Sequence, residues 1–267
     1  MTRITWRLLA AASLLAASSV QAAPTTLQLV DAARARPVPV ELYFPARASA
    51  CTVARPCPVA LLNHGYGIGS REYGFLAEAL NAEGYLVASI GHEVAGDAKM
   101  DPAGDMPRQR AGIARRGVAN IRFAHAALAQ AYPGYDWGRT VLVGHSMGGD
   151  SSAWLASTHP DGIAAVVTLD NRRAALPRNG VRVLSLRASD TGADPGVLPT
   201  AGEQLRYRSC IVQLDNARHN DMFDGGPAEL RSRILAAVIA FLAPGPGGRP
   251  AFACPAAGRG PAADGVQ

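Results

Sequence analysis

The residues whose types and spacing could do chemistry are one serine, a set of histidines, and three aspartates that follow the serine in the chain. Ser146 stands in Val141-Leu142-Val143-Gly144-His145-Ser146-Met147-Gly148-Gly149, an apolar run that stops in a Gly-x-Ser-x-Gly turn and enters a helix-compatible stretch. A neutral hydroxyl is a poor nucleophile near pH 7, so covalent chemistry at Ser146 needs a base within hydrogen-bond reach and an acid to orient that base. Glycines on both sides of the serine let neighbouring backbone approach the turn without a Cβ in the way. The candidate base is His219, in Asn216-Ala217-Arg218-His219-Asn220, because a loop following the last strand can turn a side chain back over the edge of the sheet. Asp170, Asp190 and Asp194 all keep the order serine, acid, histidine. Each has a competing structural duty. Asp170 could cap or pair with Arg172 or Arg173, and Asp190 could close an Asx turn in a loop that contains Gly192 and Pro195.

The other histidines fit less well. His145 adjoins the nucleophile and should point away from its Oγ, His125 lies in an Ala-rich helical stretch, and His159 ends a helix beside Pro160. His64 is expected to shape its own loop, while His92 in Gly91-His92-Glu93 either lines a cleft or has a structural role. Asp97, Asp101 and Asp105 recur every fourth residue, but Gly96, Pro102 and Gly104 prevent a regular helix from aligning them and no EF-hand spacing is present. No zinc, nucleotide or phosphate motif occurs, so no metal and no cofactor is expected.

Such groups can meet only if several strands end side by side. Residues 27 to 44 read as two short strands, with alternation at Val38, Val40, Leu42 and Phe44 and with Pro37 and Pro45 as punctuation. Pro58 to Leu62 is a continuous apolar run, as a buried parallel strand requires, and ends in Asn63-His64-Gly65-Tyr66-Gly67. Tyr73 to Ala82 has helical spacing, Gly84 closes it, and Tyr85 to Ile90 is the next strand. A Gly-, Asp- and Pro-rich loop over 91 to 108 precedes a helix from Gln109 to Ala131. The strand into Gly144 leads to a helix over Met147 to Thr158, then to strands at Ile163 to Leu169, Val181 to Leu186 and Cys210 to Leu214. Ala188 to Pro199 is a turn-rich loop and Pro227 to Leu242 a closing helix. Strand and helix alternate throughout, which predicts an α/β fold: one mostly parallel sheet covered by helices on both faces, with functional loops at the carboxyl ends of the strands.

The 267 residues are enough to bury a substantial core. Arg3 and Arg7 precede the apolar run Leu8 to Ala17, and Val20-Gln21-Ala22 offers small residues for cleavage, so 1 to 22 is expected to be a signal peptide. The apolar run is too short to span a bilayer comfortably. The expected organisation is therefore a leader over 1–22, an α/β domain over 23–243 and a Pro/Gly-rich tail over 244–267. Cleavage would lower the formal charge from +5 to +3, and a secreted or periplasmic location follows. Nearly all the positive charge is arginine, Lys99 being the one lysine, and no basic block or stripe favours a nucleic-acid partner. Four cysteines in an exported chain favour disulfides. Of the three possible pairings, Cys51 with Cys57 and Cys210 with Cys254 is preferred, since the first brackets a short Pro-containing loop and the second would tie the tail to a strand. In the chain-entropy model these closures stabilise by about 2 and about 4 kcal/mol.

Taken jointly, these motifs resemble a secreted serine esterase of the α/β-hydrolase superfamily over roughly Pro58 to Leu242. Within it, His64-Gly65-Tyr66-Gly67, Gly84-Tyr85-Leu86-Val87-Ala88, Gly144 to Gly149, Leu169-Asp170 and His219-Asn220 resemble platelet-activating factor acetylhydrolase-like enzymes and, more loosely, cutinase-like lipases and polyester hydrolases. The resemblance implies an oxyanion hole made by the backbone amides of Tyr66 and Met147. It places the acid at Asp170, whereas Asp190 occupies the commoner superfamily position after the next strand, and Asp194 is a third option. The stretch from Asn171 to Gly180 is too short for a large lid, so an open cleft for short-acyl, phospholipid-like or polymeric esters is expected. Acyl transfer, peptide cleavage and a non-catalytic binding role on the same fold stay open, as does the oligomeric state.

Overall fold

The computed structural model describes residues 23–244 and Cys254. The leader expected over 1–22 and nearly all of the tail from 244 lie outside the described residues. The described chain contains eight strands: β1 (Thr25–Asp31), β2 (Arg36–Tyr43), β3 (Val59–Asn63), β4 (Leu86–Ile90), β5 (Thr140–His145), β6 (Ile163–Leu169), β7 (Arg182–Arg187) and β8 (Ser209–Gln213). Five helices accompany them: α1 (Gly74–Ala82), α2 (Met106–Ala131), α3 (Ser146–Thr158), α4 (Ala201–Tyr207) and α5 (Ala228–Leu242). The strands form one sheet in the order β1-β2-β4-β3-β5-β6-β7-β8. The pairings β1 with β2 and β2 with β4 are antiparallel, and all others are parallel.

Side-chain alternation along the central strands divides the core into two faces. Ala60, Leu62, Val87, Val141, Val143 and Val167 pack with Leu76 and Leu80 of α1 and with Ile234 and Val238 of α5. Their neighbours Val59, Leu61, Leu86, Ala88, Leu142 and Val166 pack on the other side with Ile121, Ala124 and Leu128 of α2 and Leu155 of α3. Because both faces are covered, these strands carry no polar face, which is why they read as continuous apolar runs. Each fully buried Val, Leu or Ile contributes about 1.5–3 kcal/mol relative to exposure.

Three boundaries differ from the sequence reading. Helix α2 starts at Met106, because the Asp105 carboxylate caps the Arg108 N–H and Pro107, lacking an N–H, suits the first turn. Pro37 lies inside β2 and does not end it; β4 pairs with β2 only from Val40 to Tyr43, so Pro37 and Pro39 lie beyond that ladder. No amphipathic pattern in the sequence marks helix α4, which buries no residue and leaves Leu205 86% exposed. Its readable mark is the capping box of Thr200 with Glu203. Disulfides link Cys51 to Cys57 and Cys210 to Cys254. No described helix is long and apolar enough to cross a membrane.

Candidate active site

Strand β5 runs without a break into α3, and the junction residue Ser146 takes a left-handed backbone with φ of 50°. Two close approaches explain the flanking glycines. A Cβ on Gly144 would come within 2.4 Å of the Gly148 carbonyl oxygen, and a Cβ on Gly148 would lie 2.0 Å from that of Asn63. The first turn of α3 is thereby pressed against the end of β3, where the His64–Gly67 loop begins.

The neighbouring strands deliver the partners. Asp170 follows β6 directly, also left-handed with φ of 51°, and is fully buried. His219 opens a short 3-10 turn over His219–Asp221 after β8. The Ser146 Oγ lies 2.9 Å from His219 Nε2, and the Asp170 Oδ2 lies 2.6 Å from His219 Nδ1. Burial pushes the Asp170 carboxyl up, but hydrogen bonds from His219 and Thr191, the Arg187 charge and the Ala188 N–H outweigh it and hold it below its ordinary value. Asp170 is therefore an anion facing the imidazole. Arg187, itself 4% exposed as a side chain, reaches Asp170 Oδ1 at 2.8 Å.

Asp190 does not reach the ring. Its Oδ1 accepts the backbone N–H of His219 at 2.7 Å, so the carboxylate fixes the main chain that carries the imidazole. Asp194 lies farther out, paired with Arg173 at 3.1 Å. The arginine beside Asp170 is Arg187, and neither Arg172 nor Arg173 takes that place. Parallel pairing of Leu169 with Leu186 makes the next residues, Asp170 and Arg187, neighbours; strand register was the signal that would have found the pair.

His145 points away from Ser146 Oγ and fills a role that sequence reading missed. Its Nε2 is 2.9 Å from the His219 carbonyl oxygen and its Nδ1 2.7 Å from the Tyr73 hydroxyl. Burial, then the proximity of His219, lowers its pKa to about 3, so the ring is neutral. A carbonyl oxygen only accepts; Nε2–H therefore donates to His219, Nδ1 accepts the Tyr73 O–H, and the Tyr73 oxygen accepts the Gly65 N–H at 3.0 Å. This chain ties the His64–Gly67 loop to the main chain of His219. The sequence pattern marks Tyr73 only as the start of a helix.

Tyr66 and Met147 line a common small recess. The Tyr66 N–H has no backbone acceptor among the described residues, and Met147 lies in the first turn of α3, where amides lack intrahelical partners. The Tyr66 hydroxyl accepts the Met100 N–H at 2.8 Å, bracing the loop. Behind it, the His64 Nε2 accepts the His92 N–H and His92 Nε2 bonds Asn63 Oδ1 at 3.0 Å, so His92 is a buried structural residue. Asp97 is held by Arg36, Asp101 accepts the Ala103 N–H, and Asp105 caps α2.

A family model described as serine aminopeptidase, S33, within the hydrolases, matches residues 54–169. No curated protein sequence matches the chain. Among solved structures, it is similar to a ferulic acid esterase from Streptomyces cinnamoneus at 20% identity, with a TM-score of 0.56, covering 78% of this chain and 77% of that one. Thermogutta terrifontis esterase 2 phosphorylated by paraoxon matches at 12% identity and TM-score 0.58, covering 85% and 95%. Dienelactone hydrolase from Anabaena variabilis matches at 15% identity and TM-score 0.56, covering 81% and 96%. At these identities the structural likenesses bear on the fold alone, and together with the sheet order and the strand-to-helix turn at Ser146 they show that the chain has the α/β-hydrolase fold.

Proposed function

We propose that the protein is an exported serine hydrolase that cleaves carboxylic esters through an acyl-Ser146 intermediate. The observation that carries this reading is the hydrogen-bonded line Ser146 Oγ, His219 Nε2, His219 Nδ1, Asp170 Oδ2, at 2.9 and 2.6 Å. His219 removes the Ser146 proton as Oγ attacks the ester carbonyl, and Asp170 stabilises the imidazolium so formed. The oxyanion is received by the amides of Tyr66 and Met147, each contributing about 3 kcal/mol to the transition state. His219 then protonates the departing alkoxide, and water, deprotonated by the same ring, releases the acid. The two disulfides support an oxidising compartment, in line with a leader over residues 1–22. Residues 171–181 carry no helix or strand that could form a lid, which supports an open site for short-acyl, phospholipid-like or polymeric esters.

Turnover of p-nitrophenyl butyrate should vanish to background in Ser146→Ala, and paraoxon should label the wild type and not the variant. Retention of full activity by Ser146→Ala would sink the mechanism. Because the matching family model is described as a serine aminopeptidase, peptide cleavage is the second reading. Aminoacyl p-nitroanilides test it, and it replaces the first if they are turned over with higher kcat/KM than the ester.

A further inference from the structure

A cleft of about 480 Å³ opens beside Met147, between the first turns of α2, the outer side of α3 and the residues that follow Asp170. Its wall includes the Trp154 ring and four charged side chains, Arg110, Asp150, Arg173 and Asp194. Three of these are matched within the protein. Asp150 is buried, and its Oδ1 accepts the N–H groups of Arg172, Arg173 and Ala174 at 3.1, 2.8 and 2.9 Å. Arg173 pairs with Asp194. The charges of Arg173 and Arg187 both act on Asp150. Arg110 is half-buried and has no hydrogen-bond or ion-pair partner among the described residues.

Helix α2 carries Arg108, Arg110, Arg115, Arg116 and Arg122 and no acidic residue, and of these Arg116 pairs with Asp97 of the preceding loop. Arg172, next to the cleft-lining Arg173, adds a further guanidinium whose charge is felt at His145 beside the catalytic cluster. An unmatched guanidinium beside the apolar surface of Ala111, Ala114 and Trp154 favours an anion, and its planar fork fits a carboxylate with two parallel hydrogen bonds. A volume of this size accepts a small molecule.

Resting on the ester-hydrolase reading, we infer that Arg110 determines specificity by binding a carboxylate that the ester substrate carries away from its scissile bond. The substrate class is then an ester with a free acid group, separated from the reacting carbonyl by a short aliphatic or aromatic spacer lying along Trp154. The acid can belong to the acyl part, as in a dicarboxylic monoester, or to the alcohol part, as in an acylated hydroxybenzoate.

The test compares kcat/KM for p-nitrophenyl hemiglutarate against p-nitrophenyl butyrate, and for 4-acetoxybenzoate against 4-acetoxybenzamide. The wild type should prefer the anionic member of at least one pair, and which pair tells on which side of the ester the acid lies. Arg110→Gln should lower that ratio by about tenfold, chiefly through KM, as loss of a charge-assisted contact does. Arg115→Gln, which removes the same charge from an exposed position on the same helix, should leave the ratio within about twofold. No anionic preference in either pair, or an equal fall in both variants, overturns the assignment to Arg110 while leaving the hydrolase reading intact. Absence of any Ser146-dependent turnover of the four esters defeats the hydrolase reading, and this inference with it.

Discussion

Ser146 and Asp170 each hold a left-handed backbone that costs a non-glycine residue on the order of 1–3 kcal/mol, and each stands at the carboxyl end of a parallel strand. The strain aims both side chains at the imidazole that follows β8. Asp170→Asn should lower kcat for ester hydrolysis by about 10⁴, because an amide cannot stabilise the imidazolium and favours the wrong ring tautomer. Asp190→Asn should cost about tenfold or less, since an amide oxygen still accepts the His219 N–H. A larger loss for Asp190→Asn than for Asp170→Asn in steady-state kinetics would reverse the two roles. Tyr73→Phe strands the buried Gly65 N–H and His145 Nδ1, and should destabilise the fold by about 1–3 kcal/mol in denaturant titration. With the His64–Gly67 loop and the His219 backbone both loosened, its kcat should fall more than its KM rises.

At the scale of the element, the β5–α3 junction depends on glycine for contact distance. Gly148 sits against the Asn63 and His64 carbonyls, where an added methyl would come within 2.0 and 2.6 Å. Neither carbonyl can retreat readily, because β3 is paired on both sides, with β4 and with β5. Gly148→Ala is therefore expected to lower thermal stability by about 3 kcal/mol or more, or to prevent folding. Gly112→Ala, a helical glycine of α2 with open space around its Cβ direction, should be neutral or stabilise by up to about 1 kcal/mol. Equal melting temperatures for the two variants would contradict the packing account.

For the molecule as a whole, a polar tie crosses from the start of β2 to the loop before α2. The Arg36 guanidinium beside Asp97 holds that carboxyl down at about 2, with both side chains mostly shielded from water. A carboxyl lower in the folded than in the unfolded chain adds stability that is complete above about pH 4 and is lost as the pH falls through about 2. Asp97→Asn should thus destabilise by about 1–2 kcal/mol at pH 7, and the gap from wild type should close between pH 4 and pH 2 in chemical denaturation. A gap that stays constant over that range would show that the pair adds no pH-linked stability.

Much of this molecule follows from the sequence alone because its signals are local. Continuous apolar runs such as Leu61-Leu62 and Val141 to Val143 specify strands buried on both faces, and glycines at 144 and 148 mark a turn into a helix. The order of Ser146, the aspartates and His219 restricts the chemistry before any distance is measured. Tertiary structure was needed wherever the deciding quantity was a register or a direction. By type and place Asp170 is the preferred acid and Asp190 an open alternative, and only the folded positions of the two strand ends bring the Asp170 carboxylate to the imidazole ring and the Asp190 carboxylate to the His219 backbone N–H. The Asp170 to Arg187 pair and the Tyr73 to His145 link join residues well apart in the chain, and the unmatched charge of Arg110 depends on which separate elements come near it. No periodicity encodes such contacts, since they arise where separate strand ends and helix faces converge.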